Sequence, residues 1–299
     1  MSAALEATGL GKRYRSGWAL RDCSLRIPAG RVVALVGPNG AGKTTLLHLA
    51  IGLLSPTAGE VNVFGWSPRE HPILVLSRVG FVGQERPLYR RFTVSETLRL
   101  GRELNPRWDQ ATVEARLRRL SIPLDRPIGR LSGGQVAQVA LALALGKRAD
   151  LLLLDEPVVN LDPLARREFL RELVDAVAAD GLSAVLSSHV IADLERVCDY
   201  LVILANGRVQ VMGDIDDLLA THKLLVGPRV DPATVAHDGT VVEANHTELE
   251  SALLVRTNGR EPPPHWRVHA VSLEELVLAY LANSRASSLP APALAESEK

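Results

Sequence analysis

The sequence has only two cysteines, Cys23 and Cys198, in 299 residues. Two thiols cannot staple a disulfide scaffold, and their separation fits no metal-ligand spacing, so buried inert thiols are expected. Lysine is also scarce: five of the 34 basic residues are Lys12, Lys43, Lys147, Lys223 and Lys299, and the rest are arginine, a bias expected of a GC-rich genome. Net charge is absent, with 34 basic against 34 acidic residues. No global field therefore draws the chain to nucleic acid. No apolar run reaches the roughly 18 residues that span a bilayer. The longest candidate, residues 136–145, is interrupted by Gln138 and closed by Gly146, Lys147 and Arg148. The N-terminus lacks a charged-then-apolar signal pattern. The expectation is a cytosolic protein with no membrane span of its own. Hydrophobic residues at 46% and charged residues at 23% rule out wholesale disorder.

Short β-rich runs alternate with longer helical ones through about residue 221. Residues 31–36 read as a buried strand feeding a helix over 43–51. Residues 151–154, 183–187 and 200–204 are further apolar strands. Continuous apolar strands separated by helices predict an α/β fold whose sheet is covered on both faces. Between Glu85 and Arg130 the strand signal disappears. Thr93 and Glu96 form a capping box opening one helix, and residues 109–120 carry Val113, Leu117 and Leu120 near helical spacing. This stretch holds 11 arginines against 6 acids, whereas the chain from Asp231 onward holds 10 acids against 5 bases. Solvated surface explains both imbalances; a basic helical insert facing a membrane or acidic partner is the sharper alternative.

Beyond residue 221 the chain is punctuated by Val226, Gly227 and Pro228 and by Glu261 to Pro264, with weak strands at 240–243 and 252–256. Ser272 and Glu275 form a second capping box, followed by an apolar face of Leu273, Leu276, Val277, Tyr280 and Leu281. From about Ser284 a small, polar tail is expected to be disordered. There is no internal repeat.

Three motifs carry chemistry. Gly37, Pro38, Asn39, Gly40, Ala41, Gly42, Lys43 and Thr44 match the phosphate-loop pattern and follow a predicted strand. Its glycines let backbone N–H groups converge on phosphate oxygens at a helix N-terminus. Lys43 is placed to reach the β- and γ-phosphates, and the Thr44 hydroxyl to ligate Mg²⁺. Residues 151–156 form a buried strand ending in Asp155 and Glu156. Asp155 suits Mg²⁺ and Glu156 suits orienting or deprotonating the attacking water. Leu131, Ser132, Gly133, Gly134 and Gln135 open the long apolar helix, with Ser132 as N-cap and two glycines leaving N–H groups for an anion. Two anion-binding loops are one too many for a single nucleotide.

On these residues the chain resembles the ATP-binding subunit of an ABC transporter, over about residues 4 to 221. Leu-Ser-Gly-Gly-Gln is that family's signature motif. The resemblance implies a P-loop NTPase of ABC type: a mixed-sheet core with a helical signature subdomain at about 85–147, here followed by a small α+β extension. The domain expectation is 1–222 for the ATPase, 223–283 for an accessory region and 284–299 for the tail. It further implies that two subunits, identical or related, sandwich two ATPs, each phosphate loop (Gly37, Asn39, Gly40, Gly42, Lys43, Thr44, Thr45) facing the partner's signature motif. Carried across, Tyr14 stacks on adenine, Gln84 touches Mg²⁺ and water while coupling to the transport partner, Asp162 lies in the D-loop at the dimer interface, and His189 contacts the γ-phosphate. Tyr14 also reads as an ordinary edge-strand residue, and Asp162 with Pro163 as an ordinary N-cap.

Two departures stand out. Where many members carry Gln-Arg and a second Arg after the signature, this chain has Ala137, Gln138 and Leu143. Gln84 is followed by Glu85 and Arg86 instead of an apolar loop. The resemblance implies an ATPase on the cytoplasmic face of the membrane, working with an integral membrane permease on a separate chain. The closing capped helix resembles exporter-type subunits, so export is favoured over import. A soluble ABC ATPase without a transport role is the alternative, weakened by a single ATPase domain, no coiled coil and no zinc-binding cysteine pairs. A non-hydrolysing domain is opposed by Lys43, Asp155, Glu156 and His189.

Overall fold

The computed structural model describes residues 2–229, 239–257 and 265–282. The chain opens with two long antiparallel strands, β1 (Ala3–Tyr14) and β2 (Gly17–Pro28). The central sheet then begins with β3 (Val32–Val36), which feeds helix α1 (Lys43–Ala50). Strand β4 (Ala58–Val63) returns to pair with β1, completing a three-stranded sheet in the order β2-β1-β4. The sequence reading assigns no such sheet. The reason is visible in the ladder: register shifts between Ala7 and Leu10 and between Leu10 and Lys12 break the period-two alternation that marks a strand.

Helix α2 (Pro72–Arg78) leads into β5 (Val79–Val82). A helical segment follows, with α3 (Val94–Leu104), α4 (Gln110–Arg119) and α5 (Gly133–Gly146). The expected capping box is present: Thr93 Oγ1 accepts from the Glu96 N–H, and Glu96 Oε2 accepts from the Thr93 N–H. Val94, Leu98, Val113 and Leu117 pack with Val139 and Ala142 of α5 in a local cluster. Ala137, Leu141 and Ala144 of α5 face the other way into the main core. A helix buried on two sides is apolar nearly all round, which is why residues 136–145 read as a hydrophobic run.

The central sheet continues with β6 (Leu151–Asp155), helix α6 (Pro163–Asp180), β7 (Ser183–Ser188), the short α7 (Ile191–Leu194), β8 (Tyr200–Ala205) and β9 (Arg208–Asp214). Its order is β5-β6-β7-β3-β8-β9, parallel except for β9. Alternate residues serve opposite faces. Ala34, Leu152, Leu154 and Leu186 enter one cluster with Phe169 and Leu173 of α6. Val33, Leu35, Leu153 and Val185 enter the other with Leu46 of α1 and Leu25 of β2. Both faces are covered, as continuous apolar strands require.

After α8 (Ile215–Thr221), strand β10 (His222–Pro228) lies inside a four-stranded antiparallel sheet with β11 (Gly239–His246), β12 (Glu250–Thr257) and β13 (Arg267–Ala270), in the order β11-β12-β10-β13. Val226, Gly227 and Pro228 therefore belong to a strand instead of interrupting one. A Cβ at Gly227 would meet the Trp266 ring at 2.7 Å, so a larger residue there would displace that ring. Helix α9 (Leu273–Ala282) carries the expected Ser272–Glu275 capping box. It sends Leu273, Leu276, Val277 and Tyr280 into the same cluster that α5 and α6 join. The proline run ending at Pro264 and the tail from Ser284 lie outside the described residues.

The basic segment is partly neutralised from within. Arg116 and Arg119 of α4 converge on Glu172 of α6 at 3.2 and 2.5 Å. Arg116 and Glu172 are both buried, contrary to the reading of these charges as solvated.

Candidate nucleotide-binding site

Four loops meet at the carboxyl ends of adjacent parallel strands. Gly37 follows β3, Gln84 follows β5, Glu156 follows β6 and His189 follows β7. In an open parallel sheet this edge is where a ligand crevice forms. The loop after β3 turns through Gly40 and Gly42, at φ +82° and +106°, which L side chains rarely adopt. At Gly42 a Cβ would also meet the Ala19 carbonyl oxygen at 2.6 Å, and at Gly37 the Leu204 carbonyl at 2.2 Å. Chain path favours glycine at Gly40, close packing requires it at Gly37, and both act at Gly42.

Helix α1 starts at Gly42 with no side-chain cap, so its first-turn N–H groups point into the crevice without a side-chain acceptor. The crevice is a cavity of about 440 Å³. Asn39, Gly40, Gly42, Lys43, Thr44, Thr45, Gln84, Glu156 and His189 line it. Ala41 of the phosphate loop also lines it, and Ala19 and Val159, which no sequence motif marks, complete the lining. Ala19 and Val159 are apolar residues in ordinary strand and loop sequence, so only folding reveals them.

The charged centre is compact. Lys43, buried at 6% exposure, donates from Nζ to the Gly37 carbonyl at 2.7 Å and stands 3.8 Å from Glu156 Oε1. Glu156 Oε2 lies 2.9 Å from His189 Nδ1. The Glu156 backbone has φ +47°, a left-handed conformation costly for a residue with a Cβ. Ser187 supports it: Oγ accepts from the Glu156 N–H at 2.9 Å and donates to Asp155 Oδ1 at 2.8 Å. Ser187 is thus a site residue the sequence reading did not assign. Its signal was its place at the end of the strand beside Asp155.

Not every expected residue joins this cavity. Asp155 is buried at the end of β6, below the lining. Tyr14 is exposed at the end of β1, where it pairs with Gly17, two residues from Ala19. The Lys12 ammonium lies 5.6 Å from its ring centroid. Ser132, Gly133, Gly134 and Gln135 open α5 away from the cavity. There Ser132 Oγ accepts from the Gln135 N–H at 3.2 Å, and Gln135 Oε1 accepts from the Ser132 N–H at 3.1 Å. Asp162 caps α6, accepting from the N–H groups of Leu164 and Ala165 at 3.0 Å each. Of the departures noted, Gln138 is buried with both amide atoms unpartnered among the described residues, and Leu143 packs against the helical cluster.

A strand, a glycine-rich turn and an uncapped helix opening with a lysine, with two acids at the end of another parallel strand of the same sheet, define a P-loop nucleotide-binding ATPase domain. Residues 20–159 match the family described as ABC transporter. The Nod factor export ATP-binding protein I of Ralstonia nicotianae is 35% identical over 74% of this chain and 70% of its own. The sulfate/thiosulfate import ATP-binding protein CysA 1 of Agrobacterium fabrum is 34% identical over 73% of this chain, and the match spans 65% of that protein, just under two thirds. The ABC transporter ATP-binding protein YtrB of Bacillus subtilis is 26% identical over 94% of this chain and 99% of its own. Among solved structures, an ATP-binding subunit of an ABC transporter superposes with TM-score 0.65 at 33% identity, over 73% of this chain and 92% of that one. A dimeric bacterial ABC transporter cassette does so with TM-score 0.63 at 25% identity, over 71% of this chain and 98% of that one. The chain belongs to the ATP-binding subunits of ABC transporters, and its fold is the ABC ATPase cassette.

Proposed function

We propose that this subunit hydrolyses ATP with Mg²⁺ to drive export through a separate membrane permease. The observation that carries the hydrolytic reading is Glu156, held between Lys43 and His189 at the mouth of the phosphate-loop cavity. The cavity fits a nucleotide polyphosphate: its floor is made of first-turn N–H groups, an ammonium and hydroxyls, all suited to anionic oxygens. The Thr44 hydroxyl and the Asp155 carboxylate, with Gln84 nearby, would hold magnesium. Few protein donors plus substrate phosphates is how that ion is commonly bound. Bound magnesium neutralises charge on the β- and γ-phosphate oxygens.

The protein's own groups do the rest. Lys43 binds the β- and γ-phosphates, Glu156 accepts a proton from the attacking water, and His189 orients Glu156 and meets the γ-phosphate. Tyr14 supplies a face for adenine from the strand that borders Ala19. Ser132, Gly133, Gly134, Gln135 and Asp162 lie outside this cavity, which agrees with their serving a second subunit's nucleotide in a sandwich. Residues 1–222 form the ATPase unit and 223–283 an accessory region.

Among the described residues no helix is long and apolar enough to cross a membrane. Membership of the family supports a partner permease and a place at the cytoplasmic membrane face. Relatives named for import and for export are similar to comparable degrees. Export rests on the likeness of the capped helix α9 to the closing helix of exporter-type subunits. Co-purification from native membranes tests the assembly: a multi-span membrane protein with a second ATPase subunit is the expected result. Recovery of ribosomes or repair proteins without one would favour the soluble alternative. Transport into inverted vesicles made with that permease then gives the direction.

A further inference from the structure

We propose that Arg86 is a positioning residue that holds the segment following Glu156 in shape and ties it to the turn bearing Gln84. This rests on Glu156 being the hydrolytic base. Residues 83–86 form a tight turn in which the Arg86 N–H donates to the Gly83 carbonyl at 3.1 Å. The turn aims two side chains at different targets. Gln84 lines the nucleotide cavity. Arg86 sends Nη2 to the Pro157 carbonyl at 2.8 Å and to the Val159 carbonyl at 3.1 Å.

Those two acceptors complete a pattern. The segment after Glu156 makes its own turn bonds, Val159 N–H to the Glu156 carbonyl and Leu161 N–H to the Val158 carbonyl, at 3.2 Å each. The carbonyls of Glu156 and Val158 are used within the segment, and those of Pro157 and Val159 are taken by Arg86. Four successive carbonyls are thereby satisfied, two of them by one side chain from another strand end. The segment needs this help because Glu156 and Asn160 both have positive φ, at 47° and 63°. Such backbone persists only where its surroundings over-determine it.

Arg86 is itself held at a cost. Its φ is +46°, and its buried Nε finds no acceptor among the described residues. A surface arginine would relax both. Its retention of this conformation is explained by the two carbonyls it serves. Because Val159 also lines the cavity, a shift of this segment reaches the nucleotide site directly. Arg86 further borders a groove of about 320 Å³ beside Phe81 and Leu143. Truncating its side chain would open the space toward that groove and admit a small cation.

The test uses the full chain and measures phosphate release, affinity for a fluorescent ATP analogue and thermal unfolding for wild type, Arg86→Ala, Arg86→Lys and Glu156→Gln. Arg86→Ala is expected to lower kcat about tenfold or more, with KM and analogue affinity within about threefold. Added guanidinium at tens of millimolar should restore part of the loss. Arg86→Lys, which keeps the charge but ends one bond short, should fall between. The proposal is overturned if Arg86→Ala keeps kcat within about twofold of wild type, or loses kcat and affinity together without rescue. Should Arg86→Ala fail to fold, Arg86→Lys decides: reduced kcat at unchanged KM supports the assignment and wild-type kcat removes it. Full hydrolysis by Glu156→Gln would sink the base reading itself. An active Arg86→Ala beside an inactive Glu156→Gln would sink only the role of Arg86.

Discussion

His189 Nδ1 stands 2.9 Å from Glu156 Oε2, while the opposite oxygen of the same carboxylate is 3.8 Å from Lys43 Nζ. One acid is therefore oriented from both sides by groups on two other strand-end loops. With the carboxylate as acceptor, Nδ1 carries the ring hydrogen.

Replacing that carboxylate by an amide keeps its shape and removes its proton affinity. Glu156→Gln is expected to reduce phosphate release at least about a hundredfold, the scale of general-base catalysis, while ATP remains bound. Size-exclusion chromatography with ATP should then show a trapped dimer. Wild-type hydrolysis by this variant would take the base role away from Glu156.

Ser132 lies outside the cavity that holds Lys43, so a bulky cation there should act on assembly and not on nucleotide binding. Ser132→Arg is expected to block ATP-dependent dimerisation and leave analogue binding by the monomer unchanged. The lost cap costs about 1 kcal/mol of stability, visible as a small fall in Tm. Weakened binding by the monomer would argue against a contact across subunits.

The two thiols are shielded in different clusters. Cys23 is fully buried and Cys198 nearly so; burial pushes the Cys23 thiol up to about 12 and raises that of Cys198 as well. Since the thiolate is the reactive form, neither should react with a thiol reagent in the native protein, and both should react on unfolding. Rapid labelling of the folded chain would reveal opening of the β2 or α7 region.

His222 joins β10 to α9. It is fully buried, donates from Nδ1 to the Leu218 carbonyl at 2.7 Å and accepts at Nε2 from the Tyr280 hydroxyl at 2.9 Å. Burial lowers its pKa below the ordinary value, opposed by the Leu218 hydrogen bond and assisted by Arg256. The unfolded chain then takes up a proton that the folded chain refuses, so stability is present above about pH 6.5 and is lost as pH falls below it. Denaturant titrations from neutral to mildly acidic pH should show this slope, and His222→Gln should flatten it. Equal slopes in both proteins would show that other groups dominate.

Much of the site was legible because its chemistry is local in sequence. The loop from Gly37 to Thr44 must be glycine-rich wherever it folds, and Ser132, Asp162 and Ser272 cap helices with residues two or three positions away. The antiparallel sheet at the N-terminus was not legible, since bulges near Leu10 disrupt the alternation that a sequence can display. The burial of Arg116 escaped for another reason: its partner Glu172 is 56 residues away, on a helix that nothing near Arg116 announces.

The sequence alone determined the phosphate loop, the acid pair Asp155–Glu156, the helix caps and a covered parallel sheet, because each depends on neighbours within one element. Tertiary structure decided which loops stand together. Residues 37, 84, 156 and 189 meet because β5, β6, β7 and β3 lie side by side and run in one direction, which brings all four carboxyl ends to one edge. It also assigned Ser187 to Asp155 and Glu156, and Arg86 to the carbonyls behind Glu156. Such pairings follow from strand order and from unsatisfied backbone groups seeking partners, neither of which is written in local spacing.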